Sequence, residues 1–133
     1  MENKKARVLV AKIGLDSEAN RARLIARSLR ASEGIEVIYT GLYRTIEEVA
    51  DIAIQNDMDI IIISIYSGSH MTIFPKLRRT LDKNNAGDII LLGEGLVPEI
   101  QIKELKESGI VKEIFKTVTP VSFIIEWIQD IKA

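Results

Sequence analysis

The 133-residue sequence contains no cysteine. That excludes disulfides, thiolate metal sites and a thiol nucleophile, and it leaves the redox compartment open. Histidine occurs once, at His70. There is no charge excess either, since the formal net charge is −1 with acids and bases interspersed, which argues against a protein selected for bulk charge to meet nucleic acid or a membrane surface. No apolar run approaches the roughly 20 residues of a spanning helix. Linkers, internal repeats and low-complexity stretches are missing as well. The start, Met-Glu-Asn-Lys-Lys, is polar and runs directly into a strand, so no signal peptide is expected and the expected location is cytoplasmic.

What is present is a core. At 47% hydrophobic, residues 1–133 are expected to form a single domain. Its centre is Asp59 to His70, Asp-Ile-Ile-Ile-Ile-Ser-Ile-Tyr-Ser-Gly-Ser-His. Consecutive β-branched residues with no polar face read as a strand buried on both sides, the middle of a parallel sheet covered by helices. Ligands bind beyond the carboxyl ends of such strands, which points to Ser64, Tyr66 and Gly68.

Further strands are expected at Arg7–Ile13, Ile35–Thr40, Asp88–Leu92 and Lys112–Phe115, with Gly-Glu-Gly ending the fourth. A helix is expected over Asp16–Ser32, capped by Asp16 or Ser17, with Glu18 in its first turn and Arg23, Arg27 and Arg30 on its outer face. Thr45 and Glu48 form a capping-box pattern for the second helix. The third is expected from about Met71 to Lys83, and the fourth over Glu99–Glu107 with Gly109 as its cap. The last, Pro120–Lys132, turns Val121, Ile124, Ile128 and Ile131 to the core. Phe123 and Trp127 widen that stripe and are candidates for a subunit contact. The pattern is α/β: a flavodoxin-like (Rossmann-like) three-layer sandwich around a five-stranded parallel sheet of order 2-1-3-4-5.

The loops at the carboxyl ends of these strands carry glycine and small hydroxyl residues, but catalytic constellations are scarce. No serine sits in a G-x-S-x-G elbow, and neither G-x-x-x-x-G-K-[ST] nor G-x-G-x-x-G is present. The third strand ends in Ser64, where a phosphorelay receiver needs an aspartate. Asp16 and Glu18 read as caps more readily than as an acid/base pair. No catalytic or metal-ligating residue is assigned.

Arg7-Val-Leu-Val-Ala-Lys-Ile-Gly-Leu-Asp16, Glu36-Val-Ile-Tyr-Thr-Gly-Leu42, Ser67-Gly-Ser-His-Met-Thr72 with Phe74-Pro75, and Gly93-x-Gly95 with Pro98-Glu99 resemble the cobalamin-binding domain of methylmalonyl-CoA mutase and related acyl-CoA mutases. The length resembles the free-standing small subunit of two-subunit mutases. The resemblance implies a non-catalytic, cofactor-binding subunit of an isomerase, with cobalamin as cofactor and a large catalytic subunit as partner. A homodimer is the other assembly considered, and neither nucleic acid nor membrane is expected.

That family holds cobalamin through D-x-H-x-x-G, S-x-L and G-G elements. The histidine ligates cobalt, a carboxylate two residues earlier orients it, and the nucleotide tail enters a slot lined by the serine and glycines. Carried over, the cofactor-binding positions are Asp16, Ser17, Glu18, Arg21, Ser64, Tyr66, Ser67, Gly68, Gly93, Glu94 and Gly95. This sequence departs at each element: Glu18 stands at the histidine, Arg21 at the closing glycine, Tyr66 at the leucine and Glu94 at the second glycine. His70 reads as a hydrogen-bonding residue at a loop-to-helix junction. The expectation is therefore weak or lost cobalamin binding, with Glu18 or Glu94 paired to Arg21 or Lys116 across a closed groove. A mutase subunit holding cobalamin without a histidine ligand, and a module for another small ligand such as a nucleotide, are the alternatives.

Overall fold

The computed structural model describes residues 6–131. Ten elements alternate along it: β1 (Ala6–Ala11), α1 (Asn20–Arg30), β2 (Ile35–Tyr39), α2 (Ile46–Gln55), β3 (Ile60–Ile65), α3 (His70–Lys83), β4 (Ile90–Gly95), α4 (Glu99–Glu107), β5 (Glu113–Lys116) and α5 (Val121–Ile131). The strands lie in the order β2-β1-β3-β4-β5, all parallel. This is the flavodoxin-like arrangement expected from the sequence.

The four consecutive isoleucines that open β3 divide between the two faces. Ile61 and Ile63 join the side covered by α2, α3 and α4, while Ile60 and Ile62 join the side covered by α1 and α5. Burial of a strand on both faces favours an uninterrupted β-branched run over an alternating one, and at about 1.5–3 kcal/mol per buried aliphatic side chain this strand anchors both cores. Thr45 and Glu48 close the expected capping box at the start of α2. Gly109 follows α4 with φ +79°, a backbone shape that suits glycine.

Several boundaries differ from the expectations: β1 ends at Ala11 and not Ile13, α1 at Arg30 and not Ser32, β2 at Tyr39 and not Thr40, and β4 begins at Ile90 and not Asp88. Helix α1 begins at Asn20, and its N-cap, Ala19, has no side-chain cap. Neither Asp16 nor Ser17 caps it, because the Asp16 carboxylate is taken by Lys12 and by the backbone N–H groups of Tyr66 and Ser67. Strand β4 continues through Gly93, Glu94 and Gly95, which pair with Ile63, Ser64 and Ile65 of β3. Gly-Glu-Gly is thus ladder and not loop, since neighbours on both sides supply its backbone partners. Strand β5 is displaced by one residue from its expected span, to Glu113–Lys116. The expected end of the last helix, at Lys132, lies outside the described residues. Ile124 and Ile128 are its fully buried residues, Trp127 packs edge-on against Phe115, and Phe123 stays exposed. None of the helices among the described residues is long and apolar enough to cross a membrane.

Candidate functional site

Side chains alternate across a strand, so Leu92 and Glu94 of β4 face the α1/α5 layer while Gly93 faces α3. The register sets Glu94 beside Ser64 of β3, and Ser64 Oγ donates to Glu94 Oε1 at 2.9 Å. The Tyr66 hydroxyl donates to Glu94 Oε2 at 2.6 Å, and Arg21 Nε donates to the same oxygen at 3.3 Å. Arg21 also donates through its terminal nitrogen to the Thr119 carbonyl at 2.8 Å. Thr117 Oγ1 lies 2.6 Å from the Tyr66 oxygen. A phenol has one proton, and Glu94 receives it, so the Thr117 hydroxyl is the donor in that bond.

Glu94 is 0% exposed. Burying a carboxylate is costly unless donors and a counter-charge surround it, and three donors do so here. The Tyr66 phenol responds to the same setting: burial, and then the adjacent Glu94 carboxylate, push its pKa up to about 12.

A second buried ion pair lies beside the first. Lys12, also 0% exposed, sets its Nζ 3.0 Å from Asp16 Oδ1, donates to the Ser64 carbonyl at 2.9 Å and stands 5.4 Å from the Tyr66 ring centroid. Asp16 Oδ2 accepts from the backbone N–H of Tyr66 at 2.6 Å and of Ser67 at 3.2 Å. Its Oδ1 also accepts from the Glu18 N–H at 3.3 Å. Tyr66 therefore belongs to both pairs, through its backbone, its ring and its hydroxyl.

The sequence reading overlooks Lys12. Its signal is a lone charge closing the apolar run of the first strand, with a carboxylate four residues on; a lysine so placed has to find a partner when buried.

The remaining candidates divide. Glu18 is exposed, and its carboxylate accepts from the Asn20 N–H at 3.2 Å, so it acts at the beginning of α1, where negative charge is favourable. Ser17 is exposed. Gly68 turns the chain after Ser67 with φ +84°. A Cβ on Gly93 would lie 2.6 Å from Phe74 Cζ, and one on Gly95 would lie 1.9 Å from the Ile65 carbonyl oxygen. Lys116 pairs with Glu99 and takes no part with Glu94 or Glu18. Of the expected pairings, Arg21 with Glu94 is the one formed. His70 opens α3 and bonds Gln101 of α4. Among the described residues, no cluster of three or more histidine, cysteine, aspartate or glutamate residues could hold a metal ion.

A family model of the B12 binding domain matches residues 6–120 of this chain. The chain belongs to this family. Curated relatives of this B12-binding domain include the 2-hydroxyisobutanoyl-CoA mutase small subunit of Aquincola tertiaricarbonis, 40% identical over 133 residues that span 100% of this chain and 96% of the relative. The pivalyl-CoA mutase small subunit of Xanthobacter autotrophicus is 38% identical over 104 residues, 78% of this chain and 69% of the relative. Among solved structures, a cobalamin-binding protein from Desulfitobacterium hafniense superposes with a TM-score of 0.78 at 13% identity, covering 96% of this chain and 59% of that one; this likeness bears on the fold. The chain thus resembles the cobalamin-binding small subunit of acyl-CoA mutases, and cobalamin is its cofactor by family resemblance.

Proposed function

We propose that this chain is the small subunit of an acyl-CoA mutase, or a paralogue of one, that retains the B12-binding fold and a surface for a large catalytic subunit but binds cobalamin weakly or not at all. The observation that carries the reading is Glu94, which lies fully buried at the end of β4 with its carboxylate taken up by Ser64, Tyr66 and Arg21. By resemblance, this is the position of a glycine beside the slot for the nucleotide tail. Introducing a tail here would require displacing a hydrogen-bonded ion pair that already satisfies its own polar groups.

The residues present do not fit a histidine-ligated cobalt. Position 18 carries a carboxylate bonded to its own helix start, and both oxygens of Asp16, the carboxylate that would orient an imidazole, are in use. No reaction step is assigned to the chain itself, so its role in a mutase would be that of the non-catalytic partner.

The deciding experiment is a visible-absorption titration of the purified protein with hydroxocobalamin and adenosylcobalamin. The expected result is no change beyond the sum of the separate spectra at micromolar concentrations. A tightly bound corrinoid with its cobalt ligated by a histidine of this chain would overturn the proposal.

A further inference from the structure

At the amino ends of β4 and β5, the opposite end of the sheet from the Glu94 network, a cavity of about 460 Å³ opens between the loop before β4 and the loop before β5. A volume of a few hundred Å³ is the size at which proteins hold small molecules. Much of the lining is aliphatic. Ile90 and Ile110, both half-buried, contribute apolar surface beside the buried Leu91 and Val111, and no aromatic side chain takes part.

The charged part of the lining is Arg78, Lys106 and Lys112 against a single carboxylate, Asp88. Lys106 is matched by Glu113 at 3.0 Å. Arg78 donates through its terminal nitrogens to the carbonyls of Ile89 and Gly87, at 3.0 and 3.2 Å, and so fastens the loop before β4. Its Nε is buried and has no hydrogen-bond partner; Asp82 Oδ1 stands 3.4 Å away, an ion pair without hydrogen-bond geometry. Lys112 is exposed and joins no ion pair among the described residues, while its backbone N–H is fixed on the Leu91 carbonyl at 2.8 Å. The cavity thus brings together an unpaired ammonium and a buried guanidinium N–H that lacks an acceptor. A buried donor without an acceptor is costly, and an anion would satisfy both groups.

We propose that this cavity binds a small organic anion, a single anionic head on a short aliphatic body, with Lys112 and Arg78 meeting the head and Ile90 and Ile110 covering the body. The proposal stands apart from the small-subunit reading, since no residue of the cavity belongs to the Glu94 network.

The test is an amide NMR titration of the isotope-labelled chain with hexanoate, and in parallel with hexanol, hexylammonium and inorganic phosphate. Hexanoate is expected to move the signals of residues 87–91 and 109–112, with a dissociation constant in the millimolar range that suits a ligand of about eight non-hydrogen atoms. The other three probes should bind at least about tenfold more weakly, because each lacks the anionic head or the aliphatic body. Lys112→Glu, at an exposed position that leaves the spectrum of the folded chain intact, should weaken hexanoate by about tenfold or more. Arg30→Glu, on the outer face of α1, should leave it unchanged. Equal binding of hexanol or hexylammonium would show that the charge is not read, and equal binding of phosphate that the aliphatic wall is not read; either overturns the proposal. So would shifts confined to other residues, no shifts at all, or an equal loss in Lys112→Glu and Arg30→Glu.

Discussion

Tyr66 and Glu94, at the ends of adjacent parallel strands, share a 2.6 Å hydrogen bond that draws the loop after β3 onto the α1/α5 face of the sheet. Through Arg21, Thr117 and Thr119 it also reaches the start of α1 and the loop before α5. A fully hydrogen-bonded buried network rigidifies its surroundings, whereas a partly satisfied one is costly. The carboxyl end of this B12-binding domain is accordingly cross-braced by its own side chains.

Removal of one partner should expose that coupling. Glu94→Ala leaves Arg21, Ser64 and Tyr66 without their acceptor and is expected to cost about 2–4 kcal/mol in urea denaturation. Arg21→Ala should cost less, because its guanidinium is partly in contact with water. The double variant is expected to be more stable than the sum of the singles predicts, since the two residues share one interaction. Strict additivity would mean that the pair contributes no coupling.

The sheet order, the capping box and the span of α4 were legible because each rests on a local signal: hydrophobic run length, Thr45 with Glu48, and Glu99 to Glu107 between Pro98 and Gly109. The pairing of Arg21 with Glu94 was also legible, as one of the combinations that sequence distance and topology allow. What was not legible depends on register. Gly-Glu-Gly has the composition of a loop, and only its pairing with β3 and β5 makes it strand. Asp16 has the composition of a cap, and only the buried Lys12 amine and the returning backbone of Tyr66 and Ser67 draw it away from α1.

Tyr66 should titrate late. Its pKa is raised from 10.0 to about 12 by burial and by Glu94, so the folded state holds the phenol proton more tightly than the unfolded chain does. The associated stability is fully present below pH 10 and is lost as pH rises toward about 12. Spectrophotometric titration of tyrosinate absorbance, with Tyr66→Phe subtracted from the parent, should isolate a component at about 12. A difference component near the ordinary tyrosine value would contradict the buried bond to Glu94.

The two glycines at this end should respond unequally. Gly95 has φ +143° and would place a Cβ 1.9 Å from the Ile65 carbonyl oxygen, so Gly95→Ala forces β3 and β4 apart and should cost more than about 3 kcal/mol. Gly68 has φ +84° with nothing near its Cβ position, so Gly68→Ala should cost only the left-handed backbone term of about 1–2 kcal/mol. Urea midpoints give the comparison. Similar losses at both positions would show that the strand-to-strand approach at Gly95 is not tight.

The last prediction concerns restoring the cofactor site. Glu18→His alone supplies an imidazole but leaves Tyr66, Glu94 and Arg21 bonded to one another, so the spectral titration with hydroxocobalamin should stay nearly flat. Changing Glu94→Gly, Tyr66→Leu and Arg21→Gly along with it removes the acceptor, the phenol donor and the guanidinium together, so that of the three donors to Glu94 the Ser64 hydroxyl alone is left without its acceptor. The three changes clear one contiguous space, and their effects on affinity should exceed the product of the single effects by about tenfold or more. By family resemblance, an imidazole at position 18 would then supply the nitrogen ligand for cobalt that Glu18 does not. Asp16 and Lys12 are left in place to orient the loop after β1, and Asp16→Ala in the quadruple background should lower the recovered affinity. Equal binding by the single and quadruple variants would show that the Glu94 network does not obstruct the site, and the proposal of weak cobalamin binding would then rest on Glu18 alone.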